Sequence, residues 1–150
     1  MQELFDEVLE KDEEIIKVIK PNKKRYLKTF YWMLCIPIFW PHILVMLIGS
    51  LFTLPFLISK GYKNTYYAYT NKRLIVRSGM FANSYDSLEY EDITSTSVSV
   101  GFLDRKTKTG SLIFVSPSSH HEHPMTFANI ENPYEMIKEI KEQINTYNNK

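Results

Sequence analysis

The sequence contains little cysteine and no excess of either charge. Cys35 is the single cysteine among 150 residues, which excludes an intramolecular disulfide and a cysteine-based metal cluster. Eighteen basic residues against seventeen acidic residues give a formal net charge of +1. Overall charge therefore predicts neither a nucleic-acid partner nor an acidic substrate. Any electrostatic function must come from local clusters.

Short catalytic motifs are also absent. The sequence has no G-x-S-x-G elbow, HExxH pair, P-loop or G-x-G-x-x-G fingerprint, so we expect no enzymatic activity and no cofactor. One group of potential metal ligands occurs, in His120, His121, Glu122 and His123. A metal site needs three or four converging ligands, usually from separate elements. We therefore interpret this group as an exposed loop and expect no metal site.

A long uncharged run, FYWMLCIPIFWPHILVMLIGSLFTLPFLI, occupies residues 30–58. It exceeds the roughly 20 apolar residues that a membrane helix needs, so it predicts a membrane segment. As one helix it would be about 43 Å long, against a hydrocarbon core of about 30 Å. Pro37, Pro41 and Pro55 supply breaks, so both a hairpin bent near residues 40–42 and a single tilted span are open.

Basic residues flank this run on both sides. Lys20, Lys23, Lys24, Arg25 and Lys28 precede it, and Lys60 and Lys63 follow it. Lys and Arg next to membrane segments favour the cytoplasmic face. The flanks therefore favour a hairpin with both ends in the cytoplasm, and a single span is the alternative.

The N-terminal lead-in, residues 1–29, begins with apolar residues at roughly helical spacing among many acids. This pattern favours a short amphipathic helix over residues 1–20, broken near residues 11–14, that ends before Pro21. The alternative is a solvated helix or an irregular lead-in, because runs of charge are commonly solvated faces.

From residue 64 the pattern changes to short strand-like runs separated by turns. TYYAYT and RLIVRS are joined at Thr70-Asn71-Lys72, which is a hairpin signal. SLEYEDI, TSTSVSVGF, SLIFVSP and PMTFANI follow. Alternation places Leu74 and Val76 on one face of their strand, and Arg73, Ile75 and Arg77 on the other. Strands of this length and spacing predict an all-β barrel or sandwich.

The C-terminal segment ENPYEMIKEIKEQINTY predicts an amphipathic helix. Asn132 is the expected N-cap, Pro133 the first helical residue, and Glu135 completes a start similar to a capping box. The predicted apolar stripe contains Tyr134, Ile137, Ile140, Ile144 and Tyr147. Such a helix would cover one opening of a small barrel.

Residues 64–143 resemble the bacterial pleckstrin-homology-like domains of the YdbS-like group, formerly a domain of unknown function. NTYYAYTNKRLIVRSGMF, LEYEDITSTSVSVG, TGSLIF and FANIENPYEMIKEI carry the resemblance. It implies a mainly β domain at residues 64–147, a bent antiparallel barrel of about seven strands capped by one C-terminal α-helix. In that family a helical membrane anchor, usually a pair of helices, commonly precedes the domain, so the resemblance implies a location at a bacterial cell membrane.

The resemblance also indicates a candidate binding site. In phosphoinositide-binding relatives of the fold, basic residues around the first hairpin bind lipid phosphates, and Lys72 and Arg73 lie in a comparable hairpin. Arg binds phosphate oxygens bidentately and Lys supplies a point charge. The candidate residues for anionic headgroups are Lys72, Arg73, Arg77, Arg105, Lys106 and Lys108. The alternative is nonspecific attraction to an anionic membrane surface.

The alternation of Ser and Thr from Thr94 to Ser99 predicts a strand with one polar face. Such a face is typical of solvent exposure, and it also suits a sheet edge that pairs with another protein or a second copy of the chain. The sequence as a whole predicts a noncatalytic, membrane-anchored binding or assembly module whose partners are the lipid bilayer, anionic lipid headgroups or proteins.

Overall fold

The computed structural model describes residues 4–34, 56, 58–79, 82–117 and 124–149. The N-terminal part contains β1 (Ile15–Ile19), α1 (Lys23–Leu34) and α2 (residues 58–64). Three strands follow, β2 (Tyr66–Thr70), β3 (Arg73–Ser78) and β4 (Ser84–Glu89), and then a short 3-10 helix (Tyr90–Asp92). The remaining elements are β5 (Ser95–Ser99), α3 (Phe102–Thr107), β6 (Thr109–Val115), β7 (Met125–Glu131) and α4 (Pro133–Asn148).

The seven described strands form two antiparallel sheets. One has the order β1-β2-β3-β4 and the other the order β5-β6-β7. The prediction of a mainly β fold with a C-terminal helix is confirmed, but that of a closed barrel is not. Among the described strands, hydrogen bonding forms two separate sheets, because the chain leaves the first sheet through the 3-10 helix before β5 begins.

The predicted N-terminal amphipathic helix is wrong. Residues 15–19, IIKVI, form an edge strand in which Ile19 pairs with Tyr67 and Val18 with Ala68. Four of the five are β-branched residues with high strand propensity. Phe5 belongs to a different segment, which covers the outer face of the first sheet beside Ala68 and Ile75. The helical spacing thus arose from apolar residues in two unrelated elements.

The main core lies between the two sheets and α4. Leu74, Leu112, Phe114, Phe127 and Ile140 are fully or almost fully buried in it. The predicted alternation of β3 is confirmed, since Leu74 and Val76 face this core whereas Ile75 faces the outer cluster around Phe5.

Helix α4 begins at Pro133 as predicted, but its first turn differs from the prediction. Asn132 has φ 47° and ψ 56°, and its side chain makes no capping hydrogen bond. A side-chain cap needs an extended N-cap backbone, and the left-handed conformation does not provide it. Tyr134 is 63% exposed. At 3.6 residues per turn it lies about 120° around the helix from Ile140 and therefore outside the buried stripe.

The apolar run interrupts the connection between two adjacent strands. Most of it, residues 35–55 and 57, lies outside the described residues, and no described helix is long and apolar enough to cross a membrane. The chain leaves β1 after Ile19 and re-enters the same sheet at β2. The Tyr26 ring of α1 lies 5.5 Å from the Tyr62 ring of α2. The two segments that flank the run therefore meet at one end of the sheet, which we term the insert end.

The opposite end of the first sheet contains the turn between β2 and β3, and we term it the hairpin end. Strand β2 has five residues, Tyr66–Thr70. At about 3.3 Å per residue it separates the two ends by roughly 13 Å.

Candidate functional site

Arg73, one of the candidate headgroup-binding residues, lies at the hairpin end and makes its hydrogen bonds to other parts of the protein. Its Nε and Nη2 donate to the two carboxylate oxygens of Glu13 at 2.9 and 2.8 Å, and Nη2 also donates to the carbonyl of Val8 at 2.9 Å. The side chains of Arg73 and Glu13 are 10% and 0% exposed. The guanidinium is thus satisfied by N-terminal groups and faces no open binding surface.

The Glu13 carboxylate also has hydrogen-bond partners for both of its oxygens. Besides Arg73, its carboxylate accepts the Thr70 hydroxyl at 2.8 Å and the backbone N–H of Glu10 at 2.9 Å. Burial alone would raise the pKa of Glu13, but the hydrogen bonds from Arg73, Glu10 and Thr70 outweigh it and hold the pKa below the ordinary value. The pair therefore stays ionised and fastens the N-terminal segment to the β2–β3 turn.

Lys72 also lies at the hairpin end, in an acidic environment. Its Nζ donates to the Lys11 carbonyl at 3.2 Å and lies 3.7 Å from a carboxylate oxygen of Glu10. The acidic residues near this turn are Glu10, Asp12, Glu13, Glu14, Glu89, Glu91 and Asp92. Their negative charge opposes binding of a phosphate group at Lys72.

Arg77 lies at the insert end, where it pairs with Tyr66 across β2 and β3. Its guanidinium carbon is 5.9 Å from the Tyr66 ring centre and 5.8 Å from that of Tyr85. The Nε atom is buried and has no hydrogen-bond partner among the described residues. The side chain is held mainly by these two aromatic faces.

The remaining candidates, Arg105, Lys106 and Lys108, belong to α3 and the residue that follows it, and all three are exposed. Arg105 and Lys108 line a groove of about 470 Å³ between α3 and the start of α4. Asn132 and Tyr134 form part of its other wall. This groove combines positive charge with an exposed aromatic ring, which suits an anionic group carried on an organic body.

Helix α3 is joined to α1, the helix that leads into the apolar run. The Arg25 guanidinium forms an ion pair and hydrogen bond with the Asp104 carboxylate, which also accepts the Gly101 N–H at 2.8 Å. Burial would raise the pKa of Asp104, but the bonds from Arg25 and Gly101 outweigh it and lower the pKa. The Asn22 N–H donates to the Asn129 carbonyl at 2.8 Å. The start of α1 is thus fixed to both α3 and β7.

These contacts place most basic groups at the insert end. The groups on α1, α2, α3 and the neighbouring strand ends are Lys20, Lys23, Lys24, Arg25, Lys28, Lys60, Lys63, Arg77, Arg105, Lys106 and Lys108. The acidic residues of the hairpin end lie at the other end of the first sheet. The six predicted residues therefore divide, with Lys72 and Arg73 at the acidic end and the other four at the basic end.

The histidine group, residues 120–123, lies outside the described residues. Within the described part of the chain, no three His, Cys, Asp or Glu side chains are grouped in a way that could hold a metal ion.

Sequence reasoning missed Phe102 and the partners Glu13 and Asp104. Phe102 was assigned to the end of a strand, yet it is the first residue of α3 and is 87% exposed. Gly-Phe-Leu-Asp followed by Arg-Lys has an acid in the first turn and bases in the last, which is a helix signal. Glu13 and Asp104 pair with residues distant in the sequence, so no local pattern indicates them.

One comparison with a solved structure agrees with this architecture. A DUF1696 family protein with a pleckstrin-homology domain from Shewanella loihica PV-4 has a similar crystal structure, with TM-score 0.52 and 13% identity over 95% of this chain and 91% of that chain. The pleckstrin homology domain from Shewanella amazonensis SB2B has TM-score 0.49 and 16% identity over 91% of this chain and 78% of that chain. No curated protein is a significant match. Residues 24–144 match the family described as Bacterial PH domain, and the chain therefore belongs to the bacterial PH domain family.

Proposed function

We propose that this protein is a noncatalytic binding module held at a membrane by residues 30–58, with its two sheets on the cytoplasmic side. The observation that carries the proposal is the position of the apolar run between two paired strands, β1 and β2. The run has the length and composition of a membrane segment. The segments that flank it carry the basic groups that favour an anionic cytoplasmic surface.

The same position favours a hairpin over a single span. A single span would put β1 and β2 on opposite sides of the bilayer. It would break the pairing of Ile19 with Tyr67 and the contact between Tyr26 and Tyr62. An excursion that enters and leaves by the same face preserves both. Lys20 supports this geometry, because its Nζ lies 5.0 Å from the Tyr62 ring centre and donates to the Tyr66 hydroxyl at 3.0 Å.

Fractionation and cysteine accessibility test this proposal. The full chain is expressed in bacteria with Cys35→Ser and single cysteines at Gln2→Cys or Asn148→Cys. We expect the protein to stay in the membrane pellet after an alkaline carbonate wash. We also expect both cysteines to react with a membrane-impermeant maleimide only after permeabilisation.

Each other result contradicts a defined part of the proposal. Release of the protein by the carbonate wash would show that residues 30–58 do not anchor it in the membrane. Labelling of one tail alone in intact cells would establish a single span. Labelling of both tails in intact cells would keep the hairpin but place the domain outside the cytoplasm.

A second candidate function is selective binding of an anionic headgroup, and the groove lined by Arg105 and Lys108 favours it. Isothermal titration calorimetry tests this function. Detergent-solubilised protein is titrated separately with glycerol phosphate and with inositol phosphate. Selective binding predicts saturable binding of one ligand that Arg105→Glu/Lys108→Glu abolishes. The matched control is Lys72→Glu, a charge reversal at the hairpin end. Equal weak binding of both ligands, or equal effects of the two variants, would rule out a selective groove.

A further inference from the structure

Helix α3 has an unusual combination of exposed groups. Phe102 is 87% exposed, more than the other large apolar side chains described. Arg105 and Lys106 are exposed on the same six-residue helix, and Lys108 follows directly. An exposed aromatic residue beside several cations is typical of surfaces that lie in a membrane interface, where the ring enters the headgroup region and the cations contact phosphates.

The position of α3 relative to the apolar run is the second observation. Asp104, in the middle of α3, is ion-paired with Arg25, near the start of α1. Helix α1 extends from Lys23 to Leu34, and its last five residues are the first residues of the run. Because the Asp104 carboxylate also accepts the N–H of Gly101, the start of α3 is fixed relative to α1. A membrane that holds the run is therefore close to Phe102.

The charge distribution is the third observation. The insert end carries the basic groups of α1, α2 and α3, whereas the hairpin end carries the acidic cluster around Glu10 and Glu89. An anionic surface attracts the first end and repels the second. The two ends therefore act together to orient the domain with α3 towards the lipid.

We propose that α3 is a second membrane-contact element, in which Phe102 enters the interface of an anionic bilayer while Arg105 and Lys106 lie over lipid phosphates. This inference rests on the proposed function, because the apolar run brings α3 to the bilayer. It goes further in giving the domain one fixed orientation on the lipid surface.

Site-specific fluorescence on the reconstituted full chain tests this. In a Cys35→Ser background, single cysteines at Phe102→Cys, Glu91→Cys and Leu47→Cys carry the environment-sensitive dye NBD. Phe102 and Glu91 are both exposed, so neither label displaces core atoms. Glu91 is the matched control because it lies beside the acidic end, and Leu47 reports on the apolar run. The vesicles contain phosphatidylcholine with or without phosphatidylglycerol, and nitroxide-labelled lipids serve as quenchers.

We expect the dyes at positions 102 and 47 to be quenched by lipid nitroxides and the dye at position 91 to stay in water. Each basic residue near an anionic surface contributes attraction, so Arg105→Glu/Lys106→Glu should lower lipid contact at position 102 at least about tenfold. It should leave position 47 unchanged. Lipid contact at position 102 should also be weaker on vesicles that lack phosphatidylglycerol.

Four results would overturn the inference. If position 47 is quenched and position 102 is in water, the anchor stands and α3 does not touch lipid. If neither is quenched, the proposed function fails as well. Equal quenching at positions 91 and 102 would mean that the domain has no fixed orientation. A dye at position 102 that is shielded from water but not quenched would show that protein, such as a second copy of the chain, covers α3.

Discussion

Replacing Arg73 by methionine should destabilise the fold more than replacing any exposed candidate cation. The variant leaves the Glu13 carboxylate, whose side chain is 0% exposed, without its two guanidinium hydrogen bonds. Removing one partner of a buried ion pair costs about 3–5 kcal/mol of unfolding free energy. For a chain of this size such a loss lowers the melting temperature by roughly 6–20 °C.

The penalty should depend on pH in a defined direction. In the wild type the pKa of Glu13 is below its ordinary 4.5, so the stability that the ionised carboxylate contributes is present above that value and lost as the pH falls through the folded-state pKa. In Arg73→Met, burial is no longer opposed by the guanidinium, and the folded-state pKa of Glu13 rises. Protonation then removes the buried charge. The difference between variant and wild type should therefore shrink between neutral pH and about pH 5.

Thermal unfolding of the full chain in detergent, followed by near-ultraviolet circular dichroism, measures both effects. Lys72→Met is the matched control, because Lys72 is half-buried and its ion pair with Glu10 is long. We expect it to cost less than about 1 kcal/mol. Glu13→Leu/Arg73→Met removes both charges and should recover most of the lost stability. The reasoning is refuted if Arg73→Met unfolds within a few degrees of the wild type, or if the double variant is no more stable than Arg73→Met.

Two further substitutions test local features of the fold by the same unfolding measurement. Asn132→Gly should leave stability unchanged or raise it, because glycine adopts φ 47° freely and the Asn132 side chain makes no capping bond; a loss of a few tenths of a kcal/mol or more, as when glycine replaces an N-cap Asn, would restore the capping interpretation. Gly110→Ala should destabilise by about 1–3 kcal/mol, because the added Cβ would lie 2.9 Å from Pro133 Cγ and 3.0 Å from the Ser99 carbonyl oxygen. A neutral result would mean that α4 can move away from β6.

The strands and the last helix could be predicted from sequence because each has a local physical signature. Strand β3 alternates, so Leu74 enters the core while Ile75 faces outward, and the stripe of Ile137, Ile140 and Ile144 repeats at helical spacing. The N-terminal strand was missed, since a five-residue edge strand next to a charged turn has too few residues to show its period. The spacing of its apolar residues and Phe5 along the sequence resembled that of an amphipathic helix.

The candidate site was predictable in composition but not in arrangement. The sequence identified the six basic residues, and its resemblance to phosphoinositide-binding relatives placed Lys72 and Arg73 in the hairpin that would face lipid headgroups. In the structure β2 extends away from the run, so the turn containing both residues lies roughly 13 Å from the insert end. Arg105 and Lys106, more distant in sequence, lie on the helix that the pair of Asp104 with Arg25 joins to α1.

The sequence by itself determined the family, the apolar run, the strand-forming segments and the final helix, because periodicity, turn residues and uninterrupted hydrophobicity act over a few neighbouring residues. Only the tertiary structure decided that the run lies in the connection between the paired strands β1 and β2. It also decided that Arg73 is a buried partner of Glu13, and that basic and acidic groups occupy opposite ends of the first sheet. These features depend on strand register and on contacts between residues about 60 or more positions apart. Such contacts form only when the sheets assemble, so no local segment of the chain encodes them.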